Sequence, residues 1–279
     1  MSLQQDDFKE IDDFYAWIRD YWADLSRSET GEITNVLNFG YWQSEDDDLF
    51  NAQMAFFKTV TEMLSPESGA EGAEIGCGIG GFASRLLQQY DVHLTCFDLL
   101  DSHLAMSRQF AEKYGVADRL KTIQGNSMDM ADFADNQLDF VYCIESSFHY
   151  DEKQKFVDAV YRVMKPGGIF VYADISCEDN SKISFKSGNH FSSKGELDQY
   201  VEQAGFRINQ HMDIGRQVYK PLRQFVKAFN SKQGENVAPG EKKKRSRVGR
   251  YWELVLNNYA QLNDKDMMGY QIYALAKPE

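Results

Sequence analysis

No run in this chain approaches the ~20 consecutive apolar side chains that a membrane-spanning helix needs. Cysteine is scarce, and Cys77, Cys96, Cys143 and Cys177 form no C-x-x-C pair. That spacing offers no zinc site and no disulfide framework, and it suits small, reduced, buried residues. No metal site is expected. Positive charge is short as well: 30 Lys and Arg face 43 Asp and Glu, for a net charge of −13. A surface of that sign disfavours general binding of nucleic acid or of an anionic membrane. One segment departs from it, Lys242-Lys243-Lys244-Arg245-Ser246-Arg247 with Arg250. Met1 to Asp7 is acidic and polar, unlike a signal or transit peptide, so a cytoplasmic protein is expected. What the chain does have is aromatics, with 19 Phe, 15 Tyr and 4 Trp among 279 residues. They suffice to fill a core and to line an apolar pocket.

The most informative stretch is Glu74-Ile75-Gly76-Cys77-Gly78-Ile79-Gly80-Gly81. An apolar and acidic lead-in runs into glycines, and a helical pattern follows from Phe82. This reads as a strand end, a tight turn and a helix start. Glycine lets the backbone take positive φ and lie directly against a ligand. The helix start adds unpaired N–H groups and a positive dipole end. Gly76, Gly78 and Gly81 also satisfy the dinucleotide pattern G-x-G-x-x-G, with Asp98 downstream, so a nicotinamide cofactor is one reading.

Periodicity predicts helices over 8–27 and 49–64 before this turn. After it come strands over 92–98, 120–124, 136–144, 169–175, 207–214 and 269–276. Between them lie helices over 102–114, 151–164, 193–204 and 217–231, the last with Pro221 in its first turn. Residues 165–168 read as a turn, 234–249 as a polar basic loop and 252–262 as a helix. Strands alternating with helices argue for an α/β fold, a parallel sheet covered on both faces.

The sequence resembles the Rossmann-like, class I S-adenosylmethionine-dependent methyltransferases, whose first motif is E/D-x-G-x-G-x-G. Residues 74–80 match it, and Glu74 suits a cofactor with a sulfonium and an amino group better than a pyrophosphate. Gly125-Asn126-Ser127-Met128 resembles the family's adenine-contacting segment, with Asn126 in place of the usual Asp. Lys165-Pro166-Gly167-Gly168 before an apolar strand is also in the family's manner. The resemblance implies a seven-stranded, mostly parallel, doubly wound sheet with the last strand antiparallel. It implies a helical cap over 1–66, a cofactor domain over 67–279 and a substrate cover over 216–265. It further implies that Tyr41, Glu74, Gly76, Gly78, Asp98, Leu99, Asn126 and Ser127 hold S-adenosylmethionine, with Tyr41 and Trp42 in the cover. Asp98 would accept from the ribose hydroxyls, and the Asn126 carbonyl from the adenine amino group.

Methyl transfer needs an acceptor held in line and, for a hydroxyl, a base. His149 follows the 136–144 strand and Asp174 ends the 169–175 strand, so both are expected at the crevice, a base and its orienter. Glu145 opens the same segment as His149 and, with nearby aromatics, could steady a cation. The expectation is O- or N-methylation of a small metabolite, as in secondary metabolism. C-methylation of an isoprenoid or other phosphorylated acceptor is the alternative. An oxidoreductase using NAD(P), or a protein that binds S-adenosylmethionine without catalysis, stays open too. The basic segment reads as a solvated loop, or as a grip on a phosphorylated acceptor or an acidic partner. Self-association and any magnesium requirement are left open.

Overall fold

In the computed structural model, residues 5–184, 189–232 and 239–279 are described, with side chains over 13–184, 189–232 and 247–279. Two helices lead, α1 (Gln5–Leu25) and α2 (Leu49–Leu64). Asp48 caps α2 by accepting from the Asn51 N–H at 2.8 Å. There follow β1 (Glu71–Ile75), α3 (Gly81–Gln89), β2 (His93–Asp98), α4 (Asp101–Lys113), β3 (Leu120–Gln124), β4 (Leu138–Ile144), α5 (Lys153–Val163) and β5 (Met164–Cys177). The chain closes with α6 (Lys194–Ala204), β6 (Arg207–Asp213), α7 (Gly215–Lys232), α8 (Pro239–Asn263) and β7 (Met268–Ala276).

The strands form one sheet in the order β3-β2-β1-β4-β5-β7-β6. Pairing is parallel from β3 to β5, and β7 runs antiparallel to both β5 and β6. The central strands read as near-continuous apolar runs because both faces are covered. Alternate residues of β5 show this: Val171, Ala173 and Ile175 join the core beneath α2, α7 and α8, whereas Phe170 and Tyr172 join the core beneath α5 and α6. Order reverses between β1 and β4, so a crevice opens at their carboxyl ends.

Three local expectations are corrected. Residues 239–249 are not loop but the start of α8. Pro239 suits the first helical position, and Glu, Lys and Arg are good helix formers. Residues 165–168 are not a turn before β5 but lie within it, where pairing with β4 jumps from Leu138–Met164 to Phe140–Ile169. This is a bulge, and Gly167 takes φ +80° in it. Pro221 lies in the interior of α7, not its first turn. Lacking an N–H, it leaves the Gln217 carbonyl free. The Trp42 N–H takes that carbonyl at 3.1 Å, so the proline docks the segment after α1 onto α7.

Sheet packing leaves no room at Gly72, where a Cβ would come within 2.2 Å of the Phe140 ring on β4. Gly72→Ala is expected to cost about 1–3 kcal/mol by overpacking, read as a lower urea midpoint at unchanged m-value.

Candidate functional site

The glycine turn stands on a buried carboxyl group. Glu74, near the end of β1, is 5% exposed and accepts from the Tyr142 hydroxyl at 3.2 Å. The Ala83 N–H in the first turn of α3 also donates to it. Burial pushes its pKa up to about 8, against the pull of these donors. Glu74 was expected to line the cofactor site, but it faces inward and braces the turn from below. Above it, Gly76, Gly78 and Gly80 take φ of +69°, +52° and +76°. A Cβ at Gly76 would collide with Ser146 Oγ, whereas beside Gly78 lies open space.

Asp98, at the end of β2, ties the neighbouring strand ends together. Its Oδ2 accepts from the Gly78 N–H at 2.8 Å and its Oδ1 from the Leu100 N–H at 2.9 Å. The Asp98 carbonyl accepts from the Gly125 N–H at 3.1 Å, and the Leu99 carbonyl from Gln124 Nε2 at 3.0 Å. Gly76, Gly78, Asp98, Leu99, Asn126 and Ser127 therefore meet along one rim. Ser127 is buried and donates toward Tyr150. Asn126 is exposed, and its Oδ1 already accepts from the Met128 N–H at 2.9 Å. The rim fits S-adenosylmethionine. Each Asp98 oxygen keeps a lone pair for a ribose hydroxyl, Gly78 leaves space for the ligand, and Leu99 and Met128 offer partly exposed apolar flanks.

Tyr41 and Trp42 pack on α2 and α7, the latter within the expected cover. The Tyr41 N–H donates to the Ala52 carbonyl on α2, and Trp42 is buried against Phe225 of α7. Among the described contacts, none joins either to the glycine turn. Their neighbour Phe39 reaches the crevice instead: its N–H donates to Glu145 Oε1 at 2.7 Å.

The expected pairing of His149 with Asp174 is also corrected. Asp174 is 2% exposed and fully engaged, accepting from Ser147 Oγ, from the Phe148 N–H at 3.0 Å and from the Ile175 N–H at 2.8 Å. It shapes the turn after β4, and burial lifts its pKa to about 6. The partner of His149 comes from the cap: Tyr15 on α1 places its hydroxyl 2.8 Å from His149 Nε2. Tyr15 also stands edge-on to His103, whose Nδ1 lies 3.3 Å from Asp98 Oδ1. His149 is exposed, with Tyr15, Phe148, His190 and Lys153 around it. Desolvation there holds the imidazole down at about 4 and so neutral near pH 7. Glu145 sits at φ +46° and also accepts from the Tyr270 hydroxyl at 2.7 Å; burial raises its pKa to about 8.

A continuous chain of ring contacts leads away from His149 into the core. It runs from Tyr15 through His149, Phe148 and Phe191 to Tyr259, Tyr219 and Phe39. It returns through Trp252, Tyr251 and Phe14. Tyr15, Phe39 and Tyr270 are site residues that sequence reasoning missed. Periodicity reads Tyr15 as one more apolar-face residue, and nothing local marks a backbone N–H or a β7 tyrosine as a partner of Glu145.

A family model described as a methyltransferase domain matches residues 73–172. A sterol 24-C-methyltransferase of Gibberella zeae is 27% identical over 70% of this chain and 56% of that protein. The chain thus spans just over half the length of the sterol methyltransferases it matches. An O-methyltransferase of Aspergillus nomiae is 25% identical over 66% of this chain and 86% of that one. Among solved structures, the cyclase SpnF superposes with a TM-score of 0.77 over 97% of both chains, at 19% identity. That likeness is one of fold.

Glu74 holds a proton natively up to about pH 8, but its unfolded value is near 4.5. Between those values the native state binds more protons than the unfolded one, so stability falls as pH rises through this window. Urea unfolding from pH 4.5 to 8 is expected to show a shallower fall for Glu74→Gln, by at most about 1.4 kcal/mol per pH unit.

Proposed function

With a class I S-adenosylmethionine-dependent methyltransferase domain as the premise, we propose that this chain methylates a small, largely apolar molecule at oxygen or nitrogen. The observation that carries the reading is the Tyr15–His149 hydrogen bond beside the Asp98 rim. Of the relatives, one is named a sterol 24-C-methyltransferase, whose acceptor is apolar, and another an O-methyltransferase. The aromatic circuit is suited to an apolar body. In this reading α1 and residues 216–265 form the cover.

S-adenosylmethionine, when bound, supplies a methyl group on a positively charged sulfur, open to in-line attack. Asp98 is placed to hold the ribose hydroxyls, and the turn at Gly76 and Gly78 lets the backbone approach the ligand. The aromatic walls and α1 exclude water and orient the acceptor. His149, neutral at physiological pH, can take the acceptor's proton, directly or through the Tyr15 hydroxyl. A base of low pKa suffices when the proton leaves late, because an oxygen that has just gained a methyl group is strongly acidic. C-methylation is the second reading, favoured by Glu145. It lies beside the aromatic circuit, ready to steady a positive carbon or to accept its proton.

The first test is calorimetric titration with S-adenosylhomocysteine, with NADH in parallel. Wild type is expected to bind the former only, and Asp98→Ala to bind it about a hundredfold more weakly. NADH binding alone would overturn the reading. On an acceptor found by screening, His149→Ala and Tyr15→Phe are expected to lower kcat by about 10²–10⁴ while S-adenosylhomocysteine affinity holds. Loss with Glu145→Gln but not with His149→Ala would select C-methylation instead.

A further inference from the structure

The roles given above to Asp98, Tyr15, His149 and Glu145 leave a buried histidine beside them without work. His103 lies in the first turn of α4 and is 6% exposed. Its Nδ1 is buried and makes no hydrogen bond among the described residues. Asp98 Oδ1 is 3.3 Å away but off the hydrogen-bond line, and it already accepts from the Leu100 N–H. An enclosed nitrogen left unpaired is costly, and at a cofactor rim such an atom marks a place for a ligand group. Ser107, one turn on, ties this part of α4 to the glycine turn. Its Oγ lies 3.1 Å from the His103 carbonyl and 3.3 Å from the Gly78 carbonyl.

The same ring meets the cap. Tyr15 of α1 stands edge-on to it at 5.0 Å, and one turn further along both helices Arg19 Nη1 donates to Met106 Sδ at 3.3 Å. A step of four on α1 and of three on α4 keeps both contacts on one side of each helix, so α1 rests on the helix that follows Asp98. Tyr15 in turn meets His149 through its hydroxyl. His103 therefore stands where the rim, the cap and the partner of the proposed base come together.

We propose that His103 joins the cofactor to the cap: its Nδ1–H donates to a ribose hydroxyl of S-adenosylmethionine, and its ring seats Tyr15. The proposal rests on the reading of Asp98 as the ribose acceptor. A hydroxyl both donates and accepts, so a single ribose hydroxyl can donate to Asp98 Oδ1 and accept from Nδ1 beside it. The neighbouring carboxyl oxygen favours the tautomer that carries its proton on Nδ1. Through Tyr15, the position of His149 is then set from the ribose, on the cofactor side of the site.

Two substitutions separate the two contacts. His103→Phe keeps a ring for Tyr15 and removes the N–H, whereas His103→Asn puts an amide N–H near the place of Nδ1 and removes the ring. Calorimetry with S-adenosylhomocysteine is expected to show about tenfold weaker binding for His103→Phe and binding within about twofold of wild type for His103→Asn. Of two analogues that each lack one ribose hydroxyl, one is expected to bind wild type and His103→Phe alike. Amide exchange over residues 13–25, without ligand, is expected to quicken in His103→Asn and to keep the wild-type rate in His103→Phe. Unchanged helix content by circular dichroism would show that both variants stay folded. Equal losses of affinity in the two variants, or a cost of His103→Phe that persists with both analogues, would overturn the ribose contact. Unchanged exchange in His103→Asn would overturn the seat. Wild type that binds no S-adenosylhomocysteine would sink the functional reading and the ribose contact together, whereas wild type and His103→Phe that bind it equally would overturn this proposal alone.

Discussion

The structure depends on a turn that must bare its backbone to a ligand while standing over a buried acid. Three residues with φ between +52° and +76° shape that turn, and each has a different neighbour. Gly76 backs onto Ser146, Gly80 onto Ser107, and Gly78 onto space. Beneath them Glu74 joins β1 to the first turn of α3 and to Tyr142 on β4. A carboxyl group without partners at that depth would cost several kcal/mol. Given two donors it becomes a brace, and Asp98 then fixes the turn's exposed edge from the side.

The cap is attached by a few polar links set in apolar packing. Pro221 frees the Gln217 carbonyl for Trp42, Glu145 takes the Phe39 N–H, and Tyr15 meets His149. Two of these three links end on the segment after β4, so a cap that lifts must release the groups proposed for chemistry.

Much of the sheet was legible because short apolar runs and glycine punctuation are local signals; β3 over 120–124 and the helix α2 over 49–64 fall where the sequence pattern puts them. The position of Asp98 at the end of β2 was legible because strand ends are marked by local signals. Partnerships were not. His149 and Asp174 share a crevice, but the turn after β4 lays Ser147 and the Phe148 N–H across Asp174 and spends its acceptors there. Tyr15 is 134 residues from His149, and only the tertiary fold pairs them. The basic run looked like a loop because its charge masks good helix formers.

Three buried carboxyl groups near the crevice, Glu74, Glu145 and Asp174, all have pKa values raised by burial. Each favours its neutral form more than in water, so the strand ends carry less negative charge than the sequence implies. At the rim, Asp98 accepts from the backbone N–H groups of Gly78 and Leu100. Burial therefore keeps Glu145 near its titration point at neutral to mildly alkaline pH. A group poised in that way responds to a positive charge arriving beside it by ionising, and relaxes when the charge leaves. Methyl transfer from a sulfonium removes such a charge. Under the C-methylation reading proposed above, that is the charge to which the Glu145 proton responds.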